Sequence, residues 1–426
     1  GFAGIMGVFL WIGQSRITQF GVIAYSQATN INQLILPMFI MMSEFLAQGG
    51  IAEDIFAVLN RAIGKFKGGL AIATTLACTI FAALCGSSPA TAASIGKISI
   101  EAMTKRGYSP DFAVGTVAAG GTLGIMIPPS ITFCVYAALT ENSVVQLFMA
   151  GIIPGLMLSG LLILSIIIRC NMNPSLINYK PGNGSPEMTV EEAREIINEV
   201  KEKVLAEKSE KEVSFLKILP PIALIILVLG SMYFGFATPV EAAGYGVIGA
   251  FIIALVQRRL TKEIFLNAFT NSAKTGSMMV FLIICGMCMT FVVSYLGIPQ
   301  EITKIIISSG MNKYVVLAIV YVLWLILGAL MDPSSMVLLT VPFLYPAMME
   351  LGFDPLWFGV TCVLGSQIAM ITPPIGMNLF VLRANTNLPM STIIRGSLPY
   401  VGILLFGLII ITIFPGLATW LPSRMF

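Results

Sequence analysis

The sequence of 426 residues contains no histidine. That removes the side chain that titrates near neutral pH and the commonest ligand for zinc or haem. Charge is scarce as well. The 24 basic and 21 acidic side chains make up 11% of the chain, where a soluble domain carries roughly 25%. The net charge of +3 is too weak to draw the chain to nucleic acid, and nothing resembles an ATP-binding motif. Seven cysteines are scattered without metal-site spacing. Cys78, Cys85, Cys285 and Cys288 fall inside apolar runs and read as small hydrophobes. Without histidine, a cysteine pair or clustered acids there is no catalytic constellation and no cofactor site, so the chain reads as a non-enzyme.

Apolar residues are abundant instead: 57% of the sequence, with a mean hydropathy of +0.90. One soluble core cannot absorb this, because such cores stop growing near ~250–300 residues. The chain therefore reads as an all-α polytopic membrane protein. Apolar stretches run at about 31–46, 69–93, 112–127, 147–168, 218–235, 242–256, 277–296, 314–330, 337–348, 356–371 and 398–414. Helix is the assignment, since lipid forbids unpaired backbone and a barrel would show short alternating segments. The opening GFAGIMGVFLW (1–11) is shorter than the ~20 residues of a span. It reads as the end of a helix that starts outside this sequence, with a short interfacial helix as the alternative. Charges gather in 171–212, where Thr189 and Glu192 form a capping box and Ala193, Ile196, Ile197, Val200 and Val204 share a helix face. An interfacial helix and a solvated linker are both open there. Its basic residues, with Arg258, Arg259 and Lys262 two spans later, place both loops on the cytoplasmic side.

Sliding the chain over itself reveals a repeat. At an offset of 245 residues, GYSP (107–110) falls on GFDP (352–355), Gly120 on Gly365, and Pro128-Pro129 on Pro373-Pro374. Asn142 meets Asn387, Gly151 meets Gly396 and Pro154 meets Pro399. A further shift of two sets Gly50 on Gly297. Each half carries two interruptions: CGSSPAT (85–91) answered by DPSS (332–335), and GTLGIMIPPS (121–130) answered by GSQIAMITPPIG (365–376). Proline removes an amide and disfavours helix at the residue before it. A single proline is commonly a kink, but matched pairs of breaks point to discontinuous helices. The carbonyls freed at mid-membrane, with Ser and Thr oxygens, suit a hard cation such as sodium, and the resumed helix ends suit a carboxylate. Asp332 reads either as a cap for Ser334 and Ser335 or as a carboxylate near a cation. Arg383 either meets an anionic substrate or snorkels to the interface.

These pieces resemble the large membrane subunit of the TRAP (tripartite ATP-independent periplasmic) transporters over essentially the whole chain. The resemblance lies in PMFI (37–40), SEFL (43–46), GSSPATAASIG (86–96), GYSPDFA (107–113), LGIMIPPS (123–130), GIIPG (151–155), MDP (331–333) and TPPIGMNLF (372–380). It implies two inverted repeats with re-entrant hairpins and broken helices, an elevator-type transporter fold, and sodium-coupled uptake of an organic acid across the bacterial or archaeal inner membrane. It implies as partners a small four-helix membrane subunit, a periplasmic binding protein, and the surrounding lipid. Carried onto this chain, one sodium site uses Gly86, Ser87 and Ser88 with backbone around Gly121 and Gly124. The other uses Asp332, Ser334 and Ser335 with Gly365 and Thr372. Ser130 and Asn378, with Pro129, Pro374 and Arg383, fall on the substrate side. Pro89 and Arg383 depart from the family's usual pattern.

The expected organisation is a scaffold segment with a truncated first helix (1–30), a first repeat (31–170), a charged linker with an amphipathic helix (171–216), connecting scaffold helices (217–276) and a second repeat (277–426). The cargo stays open among a C4-dicarboxylate, sialic acid, another sugar acid and a sulfonate. The alternatives are a sodium–dicarboxylate symporter that needs no binding protein and an ion channel.

Overall fold

The computed structural model describes residues 18–179 and 215–425. The opening apolar stretch and the capping box of the charged linker lie outside these residues. Among the described residues every regular element is helical. The first half runs α1 (Thr18–Thr29), α2 (Ile35–Gln48), α3 (Ile51–Ile63), α4 (Gly69–Cys85), α5 (Ser88–Lys105), α6 (Pro110–Thr122), α7 (Ile131–Thr140) and α8 (Val144–Met172). Then come α9 (Leu219–Tyr233) and α10 (Pro239–Val256). The second half runs α11 (Lys262–Tyr295), α12 (Ile298–Ser308), α13 (Lys313–Gly328), α14 (Pro333–Glu350), α15 (Pro355–Ala369), α16 (Met377–Asn385) and α17 (Met390–Ile413), closed by the short α18 (Gly416–Thr419) and α19 (Pro422–Met425).

The sequence repeat reappears element by element. The helices α3 to α8 correspond to α12 to α17, and α1 with α2 corresponds to the single helix α11. Backbone details repeat too. Gly50 and Gly297 both have φ of 71°, and Gly107 and Gly352 have φ of 81° and 80°, a conformation only glycine adopts without strain. Ser109 caps α6 by accepting from the Phe112 amide, and Asp354 caps α15 by accepting from that of Trp357. The expected boundary at 276/277 falls within α11, because NAFTNSAKTGS (267–277) is polar but holds no helix breaker apart from one tolerated glycine.

A two-residue turn, Gly86 and Ser87, joins α4 to α5. They form a re-entrant hairpin: α4 starts just after α3, and Arg106, at the end of α5, donates back to Asn60 of α3 at 3.1 Å. Lys217 before α9 and Arg259 between α10 and α11 both meet Asp54 of α3, so α2 ends and α11 begins at one face; α11 therefore runs opposite to α2 and the halves are inverted. That face is held by charge. Asp54 of α3 forms ion pairs with Arg259 after α10 (2.7 Å) and with Lys217 before α9 (3.4 Å), which places these basic residues together, on the cytoplasmic side by their charge.

Two packed sets result. In the first, α10 and α11 lie along α2: a Cβ on Gly246 would come 2.6 Å from Met42 Sδ, and one on Gly276 would come 2.6 Å from Pro37. In the second, α4 to α8 interleave with α13 to α17. Phe81, Phe112, Phe133, Phe148, Trp324 and Trp357 are fully buried there. Among the described residues five helices, α2 counted with the turn before it, are long and apolar enough to cross a membrane, and the outward faces of α11 and α13 expose Phe281, Ile319 and Ile326, as lipid contact requires.

Candidate functional site: paired hairpin tips and broken helices

At the first tip, Gly86 has φ of 64°, and a Cβ there would lie 2.5 Å from the carbonyl oxygen of Pro129. Its own carbonyl accepts from the Ile131 amide at 3.4 Å, at the start of α7. Gly124 lies against the Ser87 carbonyl (2.5 Å for its added Cβ) and Thr91 Oγ1 (2.7 Å), and Gly121 against Ala92 (2.7 Å). Absent side chains thus let the loop's backbone close on the hairpin. The structure brings together Gly86, Ser87, Ser88, Gly121 and Gly124. It adds Thr91, whose hydroxyl donates to the Ser87 carbonyl at 2.8 Å.

The second tip repeats the tie with different chemistry. The Gly376 amide donates to the Ala329 carbonyl at 3.2 Å, and Gly328 packs on Ala369. Asp332 caps α14: one carboxylate oxygen accepts from the Ser335 amide at 3.0 Å and the other from the Ser335 hydroxyl. Ser334 is buried. Gly365 faces the Trp324 ring rather than Asp332, and the Thr372 hydroxyl donates to the Ile368 carbonyl at 2.8 Å. Among the described residues no three acidic or cysteine side chains gather as a metal group. The cap makes Asp332 testable: Asp332→Ala should cost about 1 kcal/mol of stability, while Asp332→Asn keeps the cap. If thermal unfolding of the two variants is the same, the carboxylate's capping contribution is refuted.

Of the residues expected on the substrate side, Ser130 is buried; it donates to the Ile125 carbonyl at 2.6 Å and caps α7 by accepting from Phe133. Asn378 is also buried, bonded to Ser88 (2.8 Å) and to the Ala118 carbonyl (3.3 Å). It therefore links the first hairpin to the broken helix of the other half. Pro129 is buried, Pro374 exposed, and Arg383 exposed in the last turn of α16 without an ion pair among the described residues. The two loops differ in cover. Gly151 and Gly155 of α8 press on Met126 and Ile127 of the first loop. Their repeat mates, Gly396 and Tyr400, are engaged by α6 instead: Gly396 by the Asp111 carbonyl, and Tyr400 by Thr116 at 2.8 Å. The second loop is left open, with Ile375 42% exposed.

One further polar contact was not anticipated from the residues. Gln367 Nε2 donates to Thr122 Oγ1 at 2.9 Å, both fully buried. They are repeat mates at the offset of 245, which is the signal that would have paired them.

Inverted halves with hairpins closing on broken helices define a secondary membrane transporter permease. The chain belongs to the family described as "Tripartite ATP-independent periplasmic transporter, DctM component", whose model matches residues 1–417. It is similar to the C4-dicarboxylate TRAP transporter large permease protein DctM of Pseudomonas aeruginosa, 35% identical over 99% of this chain and 93% of that protein. It is 29% identical to the sialic acid TRAP transporter large permease protein SiaM of Vibrio cholerae, over 92% of this chain and 87% of that one. The fold is that of the Alcanivorax borkumensis YdaH transporter, at a TM-score of 0.65, 15% identity and coverage of 97% and 90% of the two chains. The protein is thus an inner-membrane permease and not an enzyme.

Proposed function

We propose that the chain performs sodium-coupled uptake of an organic acid, delivered by a periplasmic binding protein, in complex with a small four-helix membrane subunit. The observation that carries this reading is the matched tie of each hairpin tip to a resumed helix, Gly86 to Ile131 and Ala329 to Gly376. Sodium bound among the carbonyls at each tip orders these contacts and lowers the cost of forming the anion site. The substrate carboxylate then meets the amide ends of the resumed helices. Of the two, α16 has the more open loop and carries Arg383. The relatives' names support an organic anion as cargo: C4-dicarboxylate, sialic acid, isethionate and 2,3-diketo-L-gulonate. The set α4 to α8 with α13 to α17 moves as an elevator against α2, α10 and α11.

The test is uptake of labelled C4-dicarboxylates and sugar acids into vesicles holding the permease and its small subunit. Saturable uptake that needs both an inward sodium gradient and added binding protein is expected. Full uptake without binding protein would instead identify a stand-alone symporter, and conductance without substrate a channel. Arg383→Gln should raise the half-saturating substrate concentration about tenfold, the loss of one charge-assisted contact. Kinetics equal to the parent's would remove Arg383 from the substrate site.

A further inference from the structure

The helix α3 lies along the cytoplasmic face, because both of its ends are tied there. Asp54 in its first turn pairs with Arg259 and Lys217, and Asn60 in its last turn accepts from Arg106 at the end of α5. Between α3 and α4 runs the loop GKFKGG (64–69). Two consecutive turns fix it: the Phe66 amide donates to the Ile63 carbonyl at 3.2 Å, and the Gly69 amide to the Phe66 carbonyl at 2.8 Å. Gly68, with φ of 72°, packs on Cys170 of α8, where an added Cβ would lie 2.9 Å from Sγ. The backbone is thus held against the protein, while Lys65, Phe66 and Lys67 are all exposed.

Phe66 is 68% exposed. An aromatic ring between two lysines is the arrangement of an interfacial segment: the ring enters the acyl boundary and the ammonium groups stay at the headgroups. The charge there is uncompensated. Among the described residues Lys65, Lys67 and Arg106 have no ion pair. Arg106 stands beside the loop, its Nη1 3.2 Å from where a Cβ on Gly64 would lie. The acids of α3 and α5 are spent or distant. Glu101 pairs with Lys105, and Asp54 with Arg259 and Lys217. Glu53 begins α3, about 16 Å of helix away from Gly64. The α9–α10 loop exposes Phe234 and Phe236 with no basic residue beside them, so the lysines at 64–69 are an added feature that selects a charge. We propose that the 64–69 loop is a seat for an anionic phospholipid of the cytoplasmic leaflet, with Phe66 among the acyl chains and Lys65, Lys67 and Arg106 on the headgroup phosphate. The seat lies at the joint between α3, fixed by Arg259, and the first hairpin, so an occupied seat steadies the base on which that hairpin stands.

The full permease is purified in neutral detergent, and its melting temperature is followed as phosphatidylglycerol or phosphatidylcholine is added. Phosphatidylglycerol should stabilise the parent, and phosphatidylcholine much less. A lysine near an anionic surface contributes about fivefold to binding. Combining Lys65→Gln with Lys67→Gln should therefore raise the half-saturating phosphatidylglycerol concentration about twentyfold. Phe66→Ser should weaken the response to phosphatidylglycerol while keeping the preference for it. Lys304→Gln, at an exposed lysine of α12, should leave the titration unchanged. Equal stabilisation of the parent by the two lipids overturns the seat. A loss in Lys304→Gln as large as in the double variant also overturns it, since diffuse charge would then be the cause. So does a change of melting in the double variant that is the same with and without lipid, which would assign the lysines to the glutamate-rich stretch 187–212 of this chain. The readout uses neither sodium nor substrate, so its failure leaves the transport reading standing.

Discussion

Gly396→Val should prevent folded permease from accumulating in the membrane. A Cβ at Gly396 would run into the Asp111 carbonyl of α6, and one at Gly115 of α6 would run into the Gly396 carbonyl. These are two backbones in contact, so no rotamer of a neighbour relieves the overlap. Overpacking of a core costs typically ~1–3 kcal/mol when side chains can give way, and here the larger end of that range or beyond is expected. Small residues serve this purpose at membrane helix crossings, where van der Waals contact replaces the hydrophobic effect as the force of association. Gly402, on the same helix α17, has nothing within 4 Å of an added Cβ, and Gly402→Val is the control. Size-exclusion profiles and melting temperatures of the two variants are the measurement. Equal behaviour would refute the α6–α17 crossing.

Arg259→Ala should be the most damaging change at the cytoplasmic face. Asp54 has an 8% exposed side chain and takes both Arg259 Nη1 at 2.7 Å and Nη2 at 3.1 Å. The same guanidinium donates to the Gly49 and Gly50 carbonyls at 2.8 Å each, closing the end of α2. Breaking a buried pair by removing one partner costs ~3–5 kcal/mol. Arg259 is 31% exposed and Lys217 remains near, so about 2–3 kcal/mol is expected after screening. Adding Asp54→Asn to Arg259→Ala should return part of that loss, because the stranded charge disappears. A double variant as unstable as the sum of the singles would show that the ion pair is not the cause.

The position of α3 depends on this latch, and its repeat mate has no equivalent. Where α3 buries Ile51, Ile55, Phe56 and Val58, α12 buries only Pro299 and Thr303. Among the described residues helices α9 and α10, which lie between Lys217 and Arg259, have no counterpart in the second half. A surface complementary to what they cover is thus left open around α11 and α12, which fits the proposed small membrane subunit.

Much of this was legible in the residues because breaks and caps are local chemistry. The double prolines, Gly107 with Ser109, Gly352 with Asp354 and Gly50 with Gly297 each impose their geometry within a turn or two, and each appears in both halves. The hairpin glycine Gly86 was legible for the same reason. Asp332 shows the limit of such reading. Its place at a break admitted either a cap or a ligand, and only the direction of its two oxygens toward Ser335 established the cap.

Sequence alone therefore determined the membrane environment, the duplication and the four breaks, since composition, periodicity and spacing are properties of short stretches, while the family came from the resemblance of its motifs. The tertiary structure decided which loop is covered and which is open, which glycines lie at the α6–α17 crossing, and which buried polar groups meet across the halves. Those outcomes come from packing two near-copies in opposite directions. Once Gly151 and Gly396 face different neighbours, residues with the same local instructions acquire different contacts, and Gln367 meets Thr122 across the halves.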